Sequence, residues 1–314
     1  MIIVFLKVLA IFLMMAAGFL IQKLHWVEEN ASDYLVPVLM FLLNPCLLLH
    51  ALAANDLEGG QLTVIWQIFI GSLLFFLVTT ALSYVFVKAL HYEPADDRGI
   101  LMVLFCSINT GFMGFPVTAA LFGQYYLFLM VMQNVILNVY LFVISPLQMN
   151  SGTGEKVNLR QTLRHLLSIS NLAVMVGLFL FFAGLKLPPL LDEFTKTVGD
   201  ATIPLSMILV GMQLAKNRLM EMFKNRKMVL VCLASMFVVP LLTFLAVNWL
   251  PLTLDARFII IFASCFPAAV IPASIAMQMG KNAHLMSEGI AITTLLSVVT
   301  VPAAAMFLMG YYGL

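Results

Sequence analysis

The chain has 314 residues, of which 62% are apolar and only 10% charged, and its net charge is +1. A water-soluble domain carries roughly a quarter charged residues, so a large aqueous globule is excluded, and the near-neutral balance offers no basic surface to nucleic acid. Lipid is the solvent this composition fits, and the predicted fold class is an all-α integral membrane protein.

Crossing a bilayer takes roughly 20 mainly apolar residues. Ten segments qualify: 2–22, 34–54, 62–88, 98–122, 125–148, 168–186, 197–216, 227–249, 255–279 and 285–311. The first carries Lys7 and ends without a small-residue cleavage pattern, so it reads as a retained helix and not a signal peptide. Cys46, Cys106, Cys232 and Cys265 sit in apolar runs without CxxC spacing and read as small buried side chains, with no metal and no cofactor implied. The polar stretch 149–167 reads as a linker with a short amphipathic helix. Threading the ten segments places 12 Lys and Arg on one side and 4 on the other. Cationic loops stay cytoplasmic, so the expected product is a multi-pass protein of the cell (plasma or inner) membrane with both termini outside.

Internal symmetry is visible between residues 1–148 and 168–314. Asp33–Pro37 opens segment two as Asp200–Pro204 opens segment seven, and Arg98 and Arg257 open segments four and nine. Pro116 precedes Pro146 by the same 30 residues that separate Pro272 from Pro302, and Gly123 and Gly280 close the two prolyl segments. Five helices per half is an odd number, so the second copy enters the membrane upside down, giving two inverted five-helix repeats.

Segments four and nine are the ones that break. Segment four reads Asn109-Thr110-Gly111-Phe-Met-Gly114-Phe-Pro116. Glycine ends helices and proline starts them, which predicts a half-helix to about Asn109, an unwound stretch, and a second half-helix from Pro116. Pro267 and Pro272 interrupt segment nine. Unwound backbone cannot face lipid, so the two breaks are expected to face each other or a hydrated cavity and to cross. Freed N–H groups around Val117 to Ala119 and Ala273 to Ile275 are expected to cradle a small anion, and Asn109 to add a neutral donor.

The string NTGFMGFP, the proline-broken segment nine and the 5+5 layout together resemble the auxin efflux carrier family, including its bacterial members, the malate and malonate permeases. The resemblance covers the whole chain and implies a secondary active or facilitative transporter of a small organic anion, whether such a dicarboxylate or an auxin-like acid. It implies a substrate carboxylate beside the crossing of helices four and nine, with Asn109, Thr110, Gly111, Gly114, Pro116, Pro267 and Pro272 at the site. Ala268 stands where a further amide would be expected. It also implies a scaffold of helices one, two, six and seven, with a homodimer through them, and a transport domain of helices three to five and eight to ten that moves by an elevator or rocking motion.

Other polar residues read in two ways. Asn44, Gln133 and Asn134 either line the site or make packing hydrogen bonds; Asn138 joins the latter pair, and Gln213 reads as a helix–helix bond. Glu288 is a proton or ion carrier, or else a side chain reaching the interface, and Asp200 is a coupling group or a helix-start residue. His50 is titratable or simply hydrogen-bonded. A sodium-coupled organic anion symporter of the bile-acid type, and more distantly a channel or sensor, are the rival readings. An intramembrane hydrolase lacks its paired Asp, HExxH or Ser/His set, so no enzyme is expected.

Overall fold

The computed structural model describes residues 2–55, 60–151, 168–216 and 223–313, and among these every regular element is helical. Most of the linker read at 149–167 lies outside the described residues. The helices are α1 (Ile2–Lys23), α2 (Ala31–Ala53), α3 (Gln61–Ala89), α4 (Arg98–Cys106), α5 (Phe115–Val139), α6 (Ser145–Met149), α7 (Ile169–Ala183), α8 (Pro189–Asp200), α9 (Thr202–Lys216), α10 (Arg226–Trp249), α11 (Leu254–Ser264), α12 (Ile271–Gln278) and α13 (Ala283–Tyr312). Among the described residues, six helical stretches are long and apolar enough to cross a membrane. One of them, Ala95–Met149, runs 55 residues and includes α4 to α6. It is divided at Gly123, whose φ of 83° no β-carbon-bearing residue tolerates comfortably. Gly280 closes α12 in the same left-handed region, at φ 66°.

Wide π turns recur ahead of prolines. They occupy Leu39–Leu43, Thr110–Gly114, Tyr140–Ile144 and Ala234–Val238, and Pro45, Pro116, Pro146 and Pro240 follow each by two residues. A proline ring collides with the carbonyl four residues back and removes that carbonyl's donor. That carbonyl belongs to the central residue of each turn, so widening the helix there absorbs the proline without ending the helix.

The chain divides into two compact units. Unit 1 comprises Met1–Trp66, Phe112–Met132 and Leu166–Lys216. In it α1 packs along α9, and α2 packs on α7 and α8. Phe112 sits against the apolar cluster of Leu39, Leu43, Leu209 and Met212. His50 on α2 meets Asp192 on α8 at 2.8 Å, which is the hydrogen-bonded alternative of the sequence reading. The Lys186 ammonium donates to the carbonyls of Ala53, Ala54 and Asn55 at 3.1–3.3 Å, closing the C-terminus of α2 with a cation where the helix dipole favours one. The segment expected to begin at 197 begins at Pro189, because Pro189 is pre-set for a first helical position and Asp192 complements the first turn. Asp200 therefore ends α8 and is exposed, which corrects its reading as a helix-start residue.

Unit 2 comprises Gln67–Gly111, Gln133–His165 and Asn217–Leu314. Here α4 packs on α6, α10 and α13. Outward faces are apolar, as lipid requires: on α3, Ile70, Leu77, Val78 and Val85 are all at least half exposed. One end of unit 2 is tied by two asparagines that each cap a helix and bridge to the turn before α4. Asn225 accepts from the Met228 N–H and donates to the Tyr92 hydroxyl at 2.7 Å. Asn282 accepts from the Leu285 N–H and donates to Asp97 at 2.9 Å. Burial, with the charges of Asp97 and Glu288, holds the Tyr92 phenol above its usual value although the Asn225 bond pulls it down. Asn225→Ala is expected to cost about 2 kcal/mol, one part cap and one part hydroxyl bond. Thermal unfolding in detergent checks this, and Asn225→Asp, which keeps the cap acceptor, recovers about half.

Candidate functional site

α4 ends at Cys106, and Ser107 turns extended at φ −73°, ψ 140°. Ser107, Ile108 and Asn109 are unwound, and helical structure resumes at Thr110. α11 ends at Ser264, and Pro267, Ala268 and Ala269 are unwound before α12. Nine residues of α4 and eleven of α11 rise about 14 and 17 Å at 1.5 Å each, about half of a 30 Å hydrocarbon core. The two unwound triplets meet directly. The Asn109 N–H donates to the Pro267 carbonyl at 2.7 Å, and the Ala268 N–H donates to the Thr293 hydroxyl on α13 at 3.2 Å. Thr293 in turn donates to the Gly289 and Ile290 carbonyls. Two of the N–H groups released by the breaks are thus re-satisfied inside the protein, as a membrane interior demands.

The unwound stretch lies earlier than expected. Residues 110–114 are helical, because the Pro116 clash is absorbed by a π turn centred on Phe112. The N–H groups at Val117 to Ala119 therefore sit beyond the first turn of a helix and are not the freed ones; the first-turn donors at the new helix start are those of Thr110 and Gly111. At α12, Pro272 has no N–H and Ala273 already donates to Val270 at 3.1 Å, so that half of the expected cradle is also reduced.

Side-chain amides gather on the segment-four side. Asn134 donates to the Thr110 hydroxyl at 2.8 Å and accepts from Asn138 at 3.2 Å. Thr110 is fully buried and Asn109 is 5% exposed. Gly111 borders open space, since a β-carbon built on it meets nothing within 4 Å. No Asp, Glu, Lys or Arg occurs in 99–133 or 258–280, so the polarity of this site comes from amides, hydroxyls and helix ends alone. Replacing Asn134 with leucine strands the buried Thr110 hydroxyl and is expected to cost about 1 kcal/mol. In the double variant with Thr110→Val most of that loss returns, because both partners are then apolar, and a thermal-unfolding double-mutant cycle reads it.

Behind the break a buried polar network holds the end of α4. The Tyr140 hydroxyl donates to Gln148, which donates to Ser83 at 3.2 Å and reaches the Cys106 sulfur at 3.8 Å. Sequence reasoning missed these residues, and it missed Thr293 and Ser107. Their spacing carries no motif, and only tertiary neighbours give them meaning.

Gln133 is 1% exposed, and Pro267 and Pro272 are buried in unit 2. Gly114, Pro116 and Asn44 belong to unit 1, where the Asn44 Oδ1 is buried without a partner. Glu288 lies one and a half turns before Thr293 on α13, half-buried, with the His284 ring 3.7 Å away.

The family described as Membrane transport protein matches residues 3–304. No curated protein matches the chain. Among solved structures it is similar to the sodium proton antiporter MjNhaP1 from Methanocaldococcus jannaschii at pH 8, at 15% identity and a TM-score of 0.51 over 97% of this chain and 92% of that one; a likeness at that identity speaks to fold. The family match runs nearly end to end, and the broken, proline-rich segments it covers are those described above. This chain belongs to the membrane transport protein family, that of the auxin efflux carriers, and is a multi-pass membrane transporter.

Proposed function

We propose that the chain is a secondary carrier, active or facilitative, of a small organic anion: a mono- or dicarboxylate such as malate or malonate, or an auxin-like acid. The observation that carries this reading is the charge-free meeting of two breaks. The Asn109 N–H is spent on Pro267, and the helix that resumes at Thr110 offers the N–H groups of Thr110 and Gly111 and its positive dipole end. Such an end attracts a carboxylate, and the amides of Asn109 and Asn134 add donors without placing a fixed cation in lipid. A bound anion there needs no protein charge to leave with it, which suits a carrier that must also release.

The proposal includes ten crossings as two inverted repeats, with both termini outside the cell membrane. The division of the 55-residue stretch at Gly123, the half-helices α11 and α12, and the 12-to-4 cation count support it. Alternating access follows from motion of a unit built on α3, α4, α6 and α10–α13 against one built on α1, α2 and α7–α9, by an elevator or rocking movement. Clustering of these helices into two separate units supports that division, although Phe112–Met132 groups with the first. A homodimer through α1, α2 and α7–α9 belongs to the same proposal. Glu288 is its candidate for proton or sodium coupling; Asp200, exposed at the end of α8, is the weaker one.

Reconstituted liposomes test the reading. Saturable uptake of a labelled carboxylate, accelerated by unlabelled acid on the opposite side, is the expected result. Conductance without counterflow would make the protein a channel, and uptake that requires sodium would favour the symporter alternative.

A further inference from the structure

Near the first break, two buried oxygens of unit 2 lack any hydrogen-bond partner: Ser107 Oγ in the unwound triplet and Gln133 Oε1 on α5, on residues 3% and 1% exposed. Their chemistry differs. A hydroxyl rotates and serves as donor or acceptor, whereas an amide oxygen can only accept. Buried acceptors are almost always paired in native proteins, so an orphan one asks for a donor that the chain itself does not bring.

Its position is beside the first break. The Asn134–Thr110 bond fixes the register of α5 against the broken segment. Gln133 is one residue away, within about 1.5 Å of that level along the helix. Its face continues through Leu137 and Tyr140, at i+4 and i+7, and Tyr140 belongs to the network that reaches Cys106 at the end of α4. Gly111, next to Thr110, supplies open space instead of a side chain.

We propose that Gln133 is a specificity-determining residue whose Oε1 accepts a hydrogen bond from a donor carried by the transported acid, a hydroxyl or a protonated carboxyl. The proposal rests on the carboxylate-carrier reading. One ligand then satisfies both halves of the site: its carboxylate takes the N–H groups of Thr110 and Gly111, and its hydroxyl or acid proton goes to Gln133. A simple dicarboxylate, fully ionised, has no donor to give.

Competition for uptake in proteoliposomes of the full chain tests this, using a hydroxylated dicarboxylate and its deoxy analogue of equal length and charge. Wild type is expected to prefer the hydroxylated acid at least about tenfold near pH 7.5, and Gln133→Met, of matched length without an acceptor, to bring the ratio within about twofold. Gln133→Glu keeps an acceptor; it weakens both acids but retains the ratio. If the donor is a protonated carboxyl, the pair is not discriminated near pH 7.5, uptake of both rises toward about pH 5.5, and Gln133→Met flattens that rise. A preference that survives in Gln133→Met, or a pH response indifferent to it, overturns the assignment. So does a sodium requirement lost with Gln133, which would make the oxygen a cation ligand. The ligand-free Gln133→Met protein should unfold no earlier than wild type, since it sheds an orphan acceptor; Gln133→Leu repeats the test should the first variant fail to assemble. Absence of any carboxylate uptake by wild type is a separate result and would sink the carrier reading itself.

Discussion

Replacing Asn109 with alanine is expected to reduce carboxylate uptake at least about tenfold while the protein stays folded. The substitution removes the amide but keeps the backbone N–H, so the bond to Pro267 that joins the two breaks survives. A hydrogen bond to a charged group is worth about 1.5–3 kcal/mol, and each 1.4 kcal/mol is a factor of ten, which sets the range at about ten- to 150-fold. Initial uptake rates and ligand-induced thermal shifts should fall together. Asn109→Asp sharpens the sign: a carboxylate at this buried position repels an anion and lowers uptake further than alanine does, whereas a cationic substrate would be helped. Unchanged uptake in the alanine variant, with normal folding, would remove Asn109 from the site. Failure of Asn109→Pro alone would say little, since proline also deletes the N–H that holds the breaks together.

The reach and limit of sequence reasoning are plain at this same place. Glycine and proline announce that segments four and nine break, and Gly123 and Gly280 do take the left-handed backbone that ends their helices. The location of the unwound residues was not legible, because a proline acts on the carbonyl four residues earlier and the helix can widen to meet it. In segment four the π turn at Thr110–Gly114 takes up the Pro116 clash, and the chain unwinds instead at Ser107–Asn109. The expected donors at Val117 to Ala119 moved with it, to Thr110 and Gly111. Asn109 and Thr110 were readable as polar residues in an apolar run. Thr293 was not: its hydroxyl matters because Ala268 lies against it, and no spacing rule in one chain encodes a partner 25 residues away. The same holds for Tyr140 and Gln148, whose value lies in holding Cys106. Polar residues placed by local backbone chemistry can be read from sequence, and those placed by packing cannot.

Gly211→Leu is expected to be the most damaging single substitution outside the site. α1 and α9 approach to backbone contact through two glycines. A β-carbon on Gly211 would run into the Met15 carbonyl oxygen and lie 2.8 Å from the Phe19 nitrogen; one on Gly18 would run into the Ile208 carbonyl oxygen and lie 2.8 Å from the Ile208 Cα. Small residues allow such approaches between helices in lipid, where dispersion and close packing drive association. Main-chain atoms cannot swing aside as a side-chain tip can, so α1 itself must move. Alanine at 211 gains about 1 kcal/mol of helix propensity, against an overpacking cost of about 1–3 kcal/mol or more; the clash wins, and leucine separates the helices outright. Gly310→Ala is the matched control, since a β-carbon there meets nothing within 4 Å, and it should be neutral or slightly stabilising. The double variant Gly18→Ala/Gly211→Ala should cost less than the sum of its parts, because one separation of α1 from α9 relieves both clashes. Because this contact lies wholly within unit 1, surviving protein should keep its apparent affinity for the transported acid while the yield of folded carrier falls. A changed affinity at unchanged yield would instead tie the α1–α9 contact to the transport site.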